Sequence, residues 1–510
     1  MDINTKNLSV AVNNTVYDKN LELPIDADFT LPDYCPEINK VLKCKAVTKV
    51  YNKAVNGQII TVDGNIFISI LYSDANCDVF NYEYNIPFNK SVDSCVDLTN
   101  GVIFCKTNTE YLNCRVVTKR KIEIHGASCL NIKVCTKKMS NIICEANGAN
   151  IKTNSDTTCA TVDIGYVEKN LIIEEELNIV NQPAVRNVIR YDANAVITDS
   201  KIIGNKAVIK GEFFLFMLYC HDNESAPQSF EQVIPFNQII DIDALTENCE
   251  LNVTCDIVNF EIKPRTQPDG YFAEFILCSK LCIKVRAFCN NEFDVIFDAY
   301  STKYDTELNF EDVCIDKMIK NINDNFICTK KLEFSDGAIE NIIDIWSENS
   351  RFTPTYDGNC YLINGTAIIC ILAKDSSGNC VYHERPIDYE YKIEVDGLYD
   401  EIKCEPNIST AIFGYSLDGD NGLEVKVQIN ISAVMFNCKK IKALTDISVS
   451  ESEKSNQQKE ISLYVYYAQK GELLWNIARK YNSSKEDIIK INDLCDDELT
   501  TNKVLVIPVC

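Results

Sequence analysis

The residues best able to do chemistry in this chain are its 25 cysteines. They run almost evenly from Cys35 to Cys510, and the tightest spacing, Cys278 to Cys282, is four positions, so no C-x-x-C pair exists. The three histidines, His125, His221 and His383, stand far apart in sequence, and no zinc-ligand spacing emerges. The polar start MDINTKNLSVAVNNTVYDKN has neither a basic stretch nor an apolar one, so no secretion signal is expected and the chain should stay where it is made. Most cysteines then read as small buried hydrophobes, with later crosslinking into an assembly as the second reading. Glu174-Glu175-Glu176 reads as solvated surface rather than an acid/base pair. Phosphate-binding G-x-x-x-x-G-K-[ST], dinucleotide G-x-G-x-x-G, H-E-x-x-H and G-x-S-x-G are all missing. The expectation is a chain that is not an enzyme and uses no metal or cofactor.

The balance of charges narrows the partners. A formal charge of −24 makes nucleic acid and anionic lipid poor ligands for the chain as a whole. Hydrophobic residues make up 46%, with 24 tyrosines and 22 phenylalanines, enough for folded cores in three or four domains. Apolar runs such as Phe213 to Tyr219 are strand-sized, well short of the ~18 residues that cross a bilayer, so no direct membrane insertion is expected. Residues 461–510 hold six Lys/Arg against seven Asp/Glu, which places the acidity in the first 460 residues.

Those first residues carry a repeat. Val62-Asp63-Gly64 leads into IFISILY, Ile209-Lys210-Gly211 into FFLFMLY, and Ile363-Asn364-Gly365 into AIICILA. Twenty-eight residues before each glycine lie Pro36, Pro183 and Gly337, each opening a similar apolar pattern. An aromatic follows each glycine by 24 or 25 residues: Phe88, Phe236 and Tyr389. The glycines are 147 and 154 residues apart, which is domain-sized and too long for a solenoid unit. Each apolar run is hydrophobic at both alternating faces, as in a sandwich or barrel wall. Short strands between turn clusters such as Asn56-Gly57 and Ser376-Ser377-Gly378 predict mainly antiparallel β domains. The recurrent glycine is expected to serve a bulge or close backbone approach rather than a ligand. Further strands are expected at Cys114 to Val117, Ile122 to Ile124, Leu281 to Val285 and Val425 to Ile431.

The C-terminal fifty residues have a different grammar. A strand at Tyr464 to Tyr467 leads to a Lys470-Gly471 turn, then Leu474, Ile477, Ala478 and Tyr481 fall at helical spacing. Ser483 with Glu486 is a capping-box start for a second helix, whose apolar side is Ile488, Ile489 and Ile491. Val504 to Ile507 closes as a strand and Pro508 stops it. The result is a small α+β module of βααβ order. Trp475 reads either as a core aromatic sealing the first helix or as a binding anchor. Leu463 and Leu473 carry the same two readings; Lys470, Glu472 and Lys503 read as solvated or as interface rim. The contact surface is expected to join the turn Lys470, Gly471, Glu472, Leu473, Leu474, Trp475 to the loop Thr501, Asn502, Lys503, with Leu463 beside it. Between the repeats and the module, TDISVSESEKSNQQKE (Thr445 to Glu460) reads as a flexible tether.

Two resemblances follow. KGELLWNIA and LVIP in this order resemble the LysM family, βααβ modules that mostly bind polymers containing N-acetylglucosamine. The chain departs from the family where Gly471-Glu472-Leu473-Leu474 replaces Gly-Asp-Thr-Leu and Thr501-Asn502 replaces Pro-Gly. Leu473 in place of a small hydroxyl favours a protein ligand over a sugar. Leu31-Pro32-Asp33 and Pro36-Glu37-Ile38 within TLPDYCPEINKVLKCKAVTK resemble the SPOCS domain of spore coat and envelope proteins. The expected division is three SPOCS-like repeats at 1–150, 151–300 and 301–444, a linker at 445–460 and LysM at 461–510. This order is similar to the SipL-type spore coat morphogenetic proteins of anaerobic spore-formers. That resemblance implies an adaptor in the mother-cell cytoplasm, at the forespore surface. Its LysM module would bind the coat's basement-layer ATPase, stage IV sporulation protein A, and the repeats would recruit or stack other coat proteins. The alternative is an envelope protein that binds peptidoglycan; a hydrolase hidden in a repeat comes last.

Overall fold

A computed structural model describes residues 3–178, 185, 187–221, 227–266, 272–334, 339–397, 399, 401–418, 422–454, 463–494 and 497–508. Antiparallel β structure dominates it, followed by one small module with two short helices. The first six strands are β1 (Asn4–Thr30), β2 (Lys40–Asn56), β3 (Ile59–Ser73), β4 (Val79–Asp93), β5 (Val102–Val116) and β6 (Lys121–Asn147). They form two three-stranded sheets, β1-β6-β5 and β2-β3-β4. The pattern recurs in β7 (Ile151–Asn178), β8 (Asn187–Ile203), β9 (Lys206–Cys220), β10 (Gln228–Asp241), β11 (Glu250–Thr266) and β12 (Phe272–Ser301). It recurs again in β13 (Tyr304–Glu333), β14 (Ile339–Tyr356), β15 (Cys360–Asp375), β16 (Cys380–Glu394), β17 (Ile402–Leu417) and β18 (Gly422–Glu453). Every pairing is antiparallel, and each repeat encloses its own apolar core between its two sheets.

The recurrent glycine and aromatic are cross-strand partners: Gly64 faces Phe88, Gly211 faces Phe236 and Gly365 faces Tyr389. In each pair the ring lies over the glycine. A Cβ on Gly211 would sit 2.3 Å from Phe236 Cζ, and one on Gly365 2.2 Å from Tyr389 Cζ. Close approach, not a ligand, fixes the glycine.

The strands are longer than the turn spacing suggests. β6, β12 and β18 run 27 to 32 residues because each continues past its sandwich as a two-stranded arm with β1, β7 or β13. The arms pack on one another through Val10, Ile142, Val295, Phe293, Ile315 and Ala443, and further out through Ile143, Ala146, Ile296, Ala299, Leu444 and Ile447. Thr445 to Glu453, expected as tether, is part of β18 and of this packing. Its alternation TDISVSE places Ile447 against the neighbouring arms while serines face outward, so low apolar content concealed a strand. The rest of the expected tether, 455–460, lies outside the described residues.

The apolar runs are hydrophobic on two faces for a related reason. Ile66, Ile68, Ile70 and Tyr72 point into the first core, while Leu71 points the other way. Leu218 and Leu372 stand at the same place in their repeats, 147 and 154 residues further on, and all three meet in one shared core with Trp346 and Cys370. The three repeats thus close around a common axis. Lys43, Arg190 and Asp344 are also equivalent by those offsets and form its polar part. Arg190 Nε donates to Asp344 Oδ2 at 2.7 Å, and Lys43 Nζ to Glu384 at 2.6 Å and Glu348 at 3.1 Å. The Arg190 guanidinium stacks 4.4 Å from the Trp346 ring centre.

The cysteines correct an expectation. All 23 described ones are free thiols, but only four are buried; Cys95 is exposed and the other 18 are intermediate. Ten of those 18, among them Cys44, Cys114, Cys255 and Cys404, pack as partly buried hydrophobes against an apolar core.

Candidate binding surface of the C-terminal module

The module comprises β19 (Leu463–Ala468), α1 (Leu474–Lys480), α2 (Lys485–Ile491) and β20 (Lys503–Pro508). β19 and β20 pair antiparallel, with Leu463 opposite Pro508, Val465 opposite Val506 and Tyr467 opposite Val504. Both helices cover one face of this two-stranded sheet, and Leu474, Ile477, Ala478, Ile488, Leu499, Leu505 and Ile507 form the core. Among the described residues no helix covers the other face. Leu463 and Val504 are exposed there, Val465 is 66% exposed and Tyr467 78%. Such an apolar row on a solvent face makes it a candidate contact surface.

The second helix begins one residue later than the capping pattern suggests. Ser484 is the N-cap and accepts from the Asp487 N–H at 3.4 Å. Ser483 is buried instead, its Oγ donating to the Pro508 carbonyl at 2.5 Å, which ties the helix turn to the end of β20. Ile491 is exposed and leaves the apolar side of α2 to Ile488 and Ile489.

The expected turn and loop do come together. Gly471 has φ +86°, a left-handed conformation that costs glycine little, and its N–H donates to the Leu499 carbonyl at 2.8 Å. The Lys470 N–H donates to Asn502 Oδ1 at 2.8 Å, so the side chain of Asn502 joins the two segments. Glu472 is spent inside the module: its carboxylate accepts from the Gln469 N–H at 2.7 Å and from Tyr466 Oη at 2.9 Å. That hydrogen bond also raises the phenol pKa of Tyr466. Leu473, Thr501, Asn502 and Lys503 are exposed beside it.

Two expected contact residues are elsewhere. Leu474 is wholly buried in the module core and has no surface to offer a partner. Trp475 is 7% exposed, and what covers it is the second repeat. Its indole N–H donates to Asp298 Oδ2 at 2.7 Å, and the Tyr300 ring meets it edge-on at 4.9 Å. Arg479 binds the same carboxylate, at 2.7 Å to Oδ1 and 2.6 Å to Oδ2. Tyr300 Oη donates to the Ser483 carbonyl at 2.7 Å, and Lys454 reaches Asn482 Oδ1 at 2.6 Å. Trp475 therefore does seal α1, but against a strand 177 positions earlier. Sequence reasoning missed Val465, Tyr467 and Val504, although the alternation in LYVYYA signals them once helices occupy only one side of the sheet. Nothing local marks Asp298 or Tyr300.

Three β repeats closed on an axis thus carry a βααβ module with an open apolar face. Among the described residues no group of three or more His, Cys, Asp or Glu is placed to hold a metal, and no helix is long and apolar enough to cross a membrane. A family model described as SipL, SPOCS domain, matches residues 37–117 and 184–264, within the first two repeats, and the LysM domain model matches 466–508. The third repeat has the same two-sheet topology, with Gly365 and Tyr389 in place. Comparison with curated proteins and with solved structures yields no match. The chain thus combines the SPOCS domain of SipL with a LysM domain, and this pairing of non-catalytic binding domains fits a protein associated with the spore coat.

Proposed function

We propose that this chain is a non-enzymatic adaptor of spore coat assembly, working in the mother-cell cytoplasm at the forespore surface. Its LysM module docks onto the basement-layer ATPase, stage IV sporulation protein A, and the repeats engage other coat proteins. The observation that carries the reading is the open face of the module, where Leu463, Val465 and Tyr467 lie opposite Pro508, Val506 and Val504, with Leu473 exposed at the nearby turn. A continuous apolar surface suits a protein ligand. Lys470, Gly471, Thr501, Asn502 and Lys503 form its rim, and Glu472 braces the turn from within the module. The acidic charge of the repeats disfavours nucleic acid and anionic membranes as alternatives.

The test offers the full chain, wild type and Tyr467→Asp/Leu473→Asp, to purified ATPase and separately to insoluble peptidoglycan. Both substitutions fall on exposed side chains and should leave the fold intact by circular dichroism. Capture of the ATPase by the wild type, weakened at least about tenfold in the variant, is expected for a hot-spot surface. Capture of peptidoglycan alone would make this an envelope protein that binds N-acetylglucosamine polymers.

A further inference from the structure

The contact between module and second repeat is built like a ligand in a site. Trp475 and Arg479 lie one turn apart on α1 and converge on one carboxylate, that of Asp298. Arginine keeps its charge at any accessible pH, and a buried indole N–H requires an acceptor. Without Asp298, Trp475 and Arg479 would both lose the acceptor they share. Tyr300 adds the second element, its ring against Trp475 and its hydroxyl on the Ser483 carbonyl at the start of α2. Asp298 and Tyr300 are two apart in an extended strand, so their side chains project to the same side. The module therefore recognises a carboxylate followed two residues later by an aromatic ring.

We propose that the α1 face of the LysM module is a binding site for an extended protein segment of the form acidic-x-aromatic, and that Asp298-Ala299-Tyr300 occupies it as an internal ligand. A partner presenting such a segment competes with β12 and lifts the module from the repeats. Belonging to the same chain, the internal ligand acts at an effective concentration of about millimolar, so the closed site is screened from weak ligands. The proposal rests on the module engaging a protein, yet it concerns a different face from the Leu473 and Tyr467 surface. Loss of ATPase capture through that surface and failure of this site are read by separate variants.

The test uses the full chain carrying Trp346→Phe, which leaves Trp475 as the single tryptophan. The probe is a capped peptide copying residues 297–301. Adding Asp298→Ser/Tyr300→Ala should open the site, moving Trp475 emission to longer wavelength and increasing its quenching by acrylamide. The peptide should reverse both changes and bind the opened chain about tenfold or more tighter than the closed one, since only the latter has a tethered competitor. A peptide with asparagine in place of its aspartate should not reverse them. Arg479→Gln, a change confined to the module, should abolish the discrimination between the two peptides while circular dichroism stays native. A folded opened chain whose Trp475 ignores the peptide, or equal affinity for open and closed chains, would overturn the proposal.

Discussion

The three repeats meet one another through a shared interior, whereas the module meets the second repeat through a polar seat. At the axis, Leu71, Leu218 and Leu372 are each at most 5% exposed, and no repeat can leave without uncovering the other two. At the seat, the Asp298 carboxylate, the Tyr300 phenol, the Lys454 ammonium and a 3.7 Å Lys152–Glu486 pair hold a domain that already has its own core. The first junction is part of folding; the second resembles binding between folded partners. The difference means that the repeats are not independent beads. Removing one of them should perturb all three, while displacing the module should cost the repeats little.

The axis offers the harshest way to break this contrast. Asp344 is almost wholly buried, and burial pushes its carboxyl pKa up against the pull of Arg190. Arg190→Met would strand that carboxylate and remove the cation stacked on Trp346. A loss of about 3–5 kcal/mol is expected, as for breaking other buried pairs. Urea unfolding followed by circular dichroism should show the whole repeat region shifting as one transition. Separate transitions for the repeats would deny the shared interior. Gly211→Ala tests one repeat from within. The new methyl meets the Phe236 ring and the Val196 carbonyl, where a Cβ would lie 2.7 Å away, and overpacking of this kind costs about 1–3 kcal/mol. Thermal melts should move in the same direction as for Arg190→Met but less, because the closure at the axis is intact.

A pH titration sharpens the same contrast. Burial works against ionisation of Glu348, but Lys45 and Lys43 outweigh it and hold the carboxyl at about 2, below its ordinary 4.5. A depressed folded-state value stabilises above the unfolded value and is lost as pH falls through the folded one. Repeat stability should therefore decline between about pH 4.5 and 2, and Glu348→Gln should flatten part of that decline. A wild-type profile matched by the variant across that window would remove Glu348 from the axis account.

How much of this was legible depends on whether a residue's partner is at a fixed offset. The glycines and their aromatics were, because a 24- or 25-residue hairpin spacing repeats three times. Leu71, Leu218 and Leu372 were visible as runs apolar on both faces, though which neighbour covered the second face was not. Lys43, Arg190 and Asp344 share the repeat offsets but not a residue type, so they acquire meaning only when the ring closes. In the module, the helices and the Gly471 turn follow from periodicity and φ requirements. The N-cap shifted from Ser483 to Ser484 because the Pro508 carbonyl, distant in sequence, claims the first serine. Trp475 was legible as core or anchor; the structure buries it against the second repeat, with an acceptor that no local pattern could supply.

The mildest perturbation isolates the seat. Tyr300→Phe keeps the ring against Trp475 and removes only the hydroxyl that donates to the Ser483 carbonyl. The net worth of such a bond is about 0.5–1.5 kcal/mol, and the carbonyl left behind lies at the module boundary, where water can reach it once the domains part. The repeats should unfold at an unchanged urea concentration. What should change is the accessibility of Trp475, read as a small rise in acrylamide quenching in the Trp346→Phe chain. If Tyr300→Phe instead lowers the unfolding midpoint of the repeats, the seat belongs to the folding unit, and the module is as much a part of the ring as the three arms are.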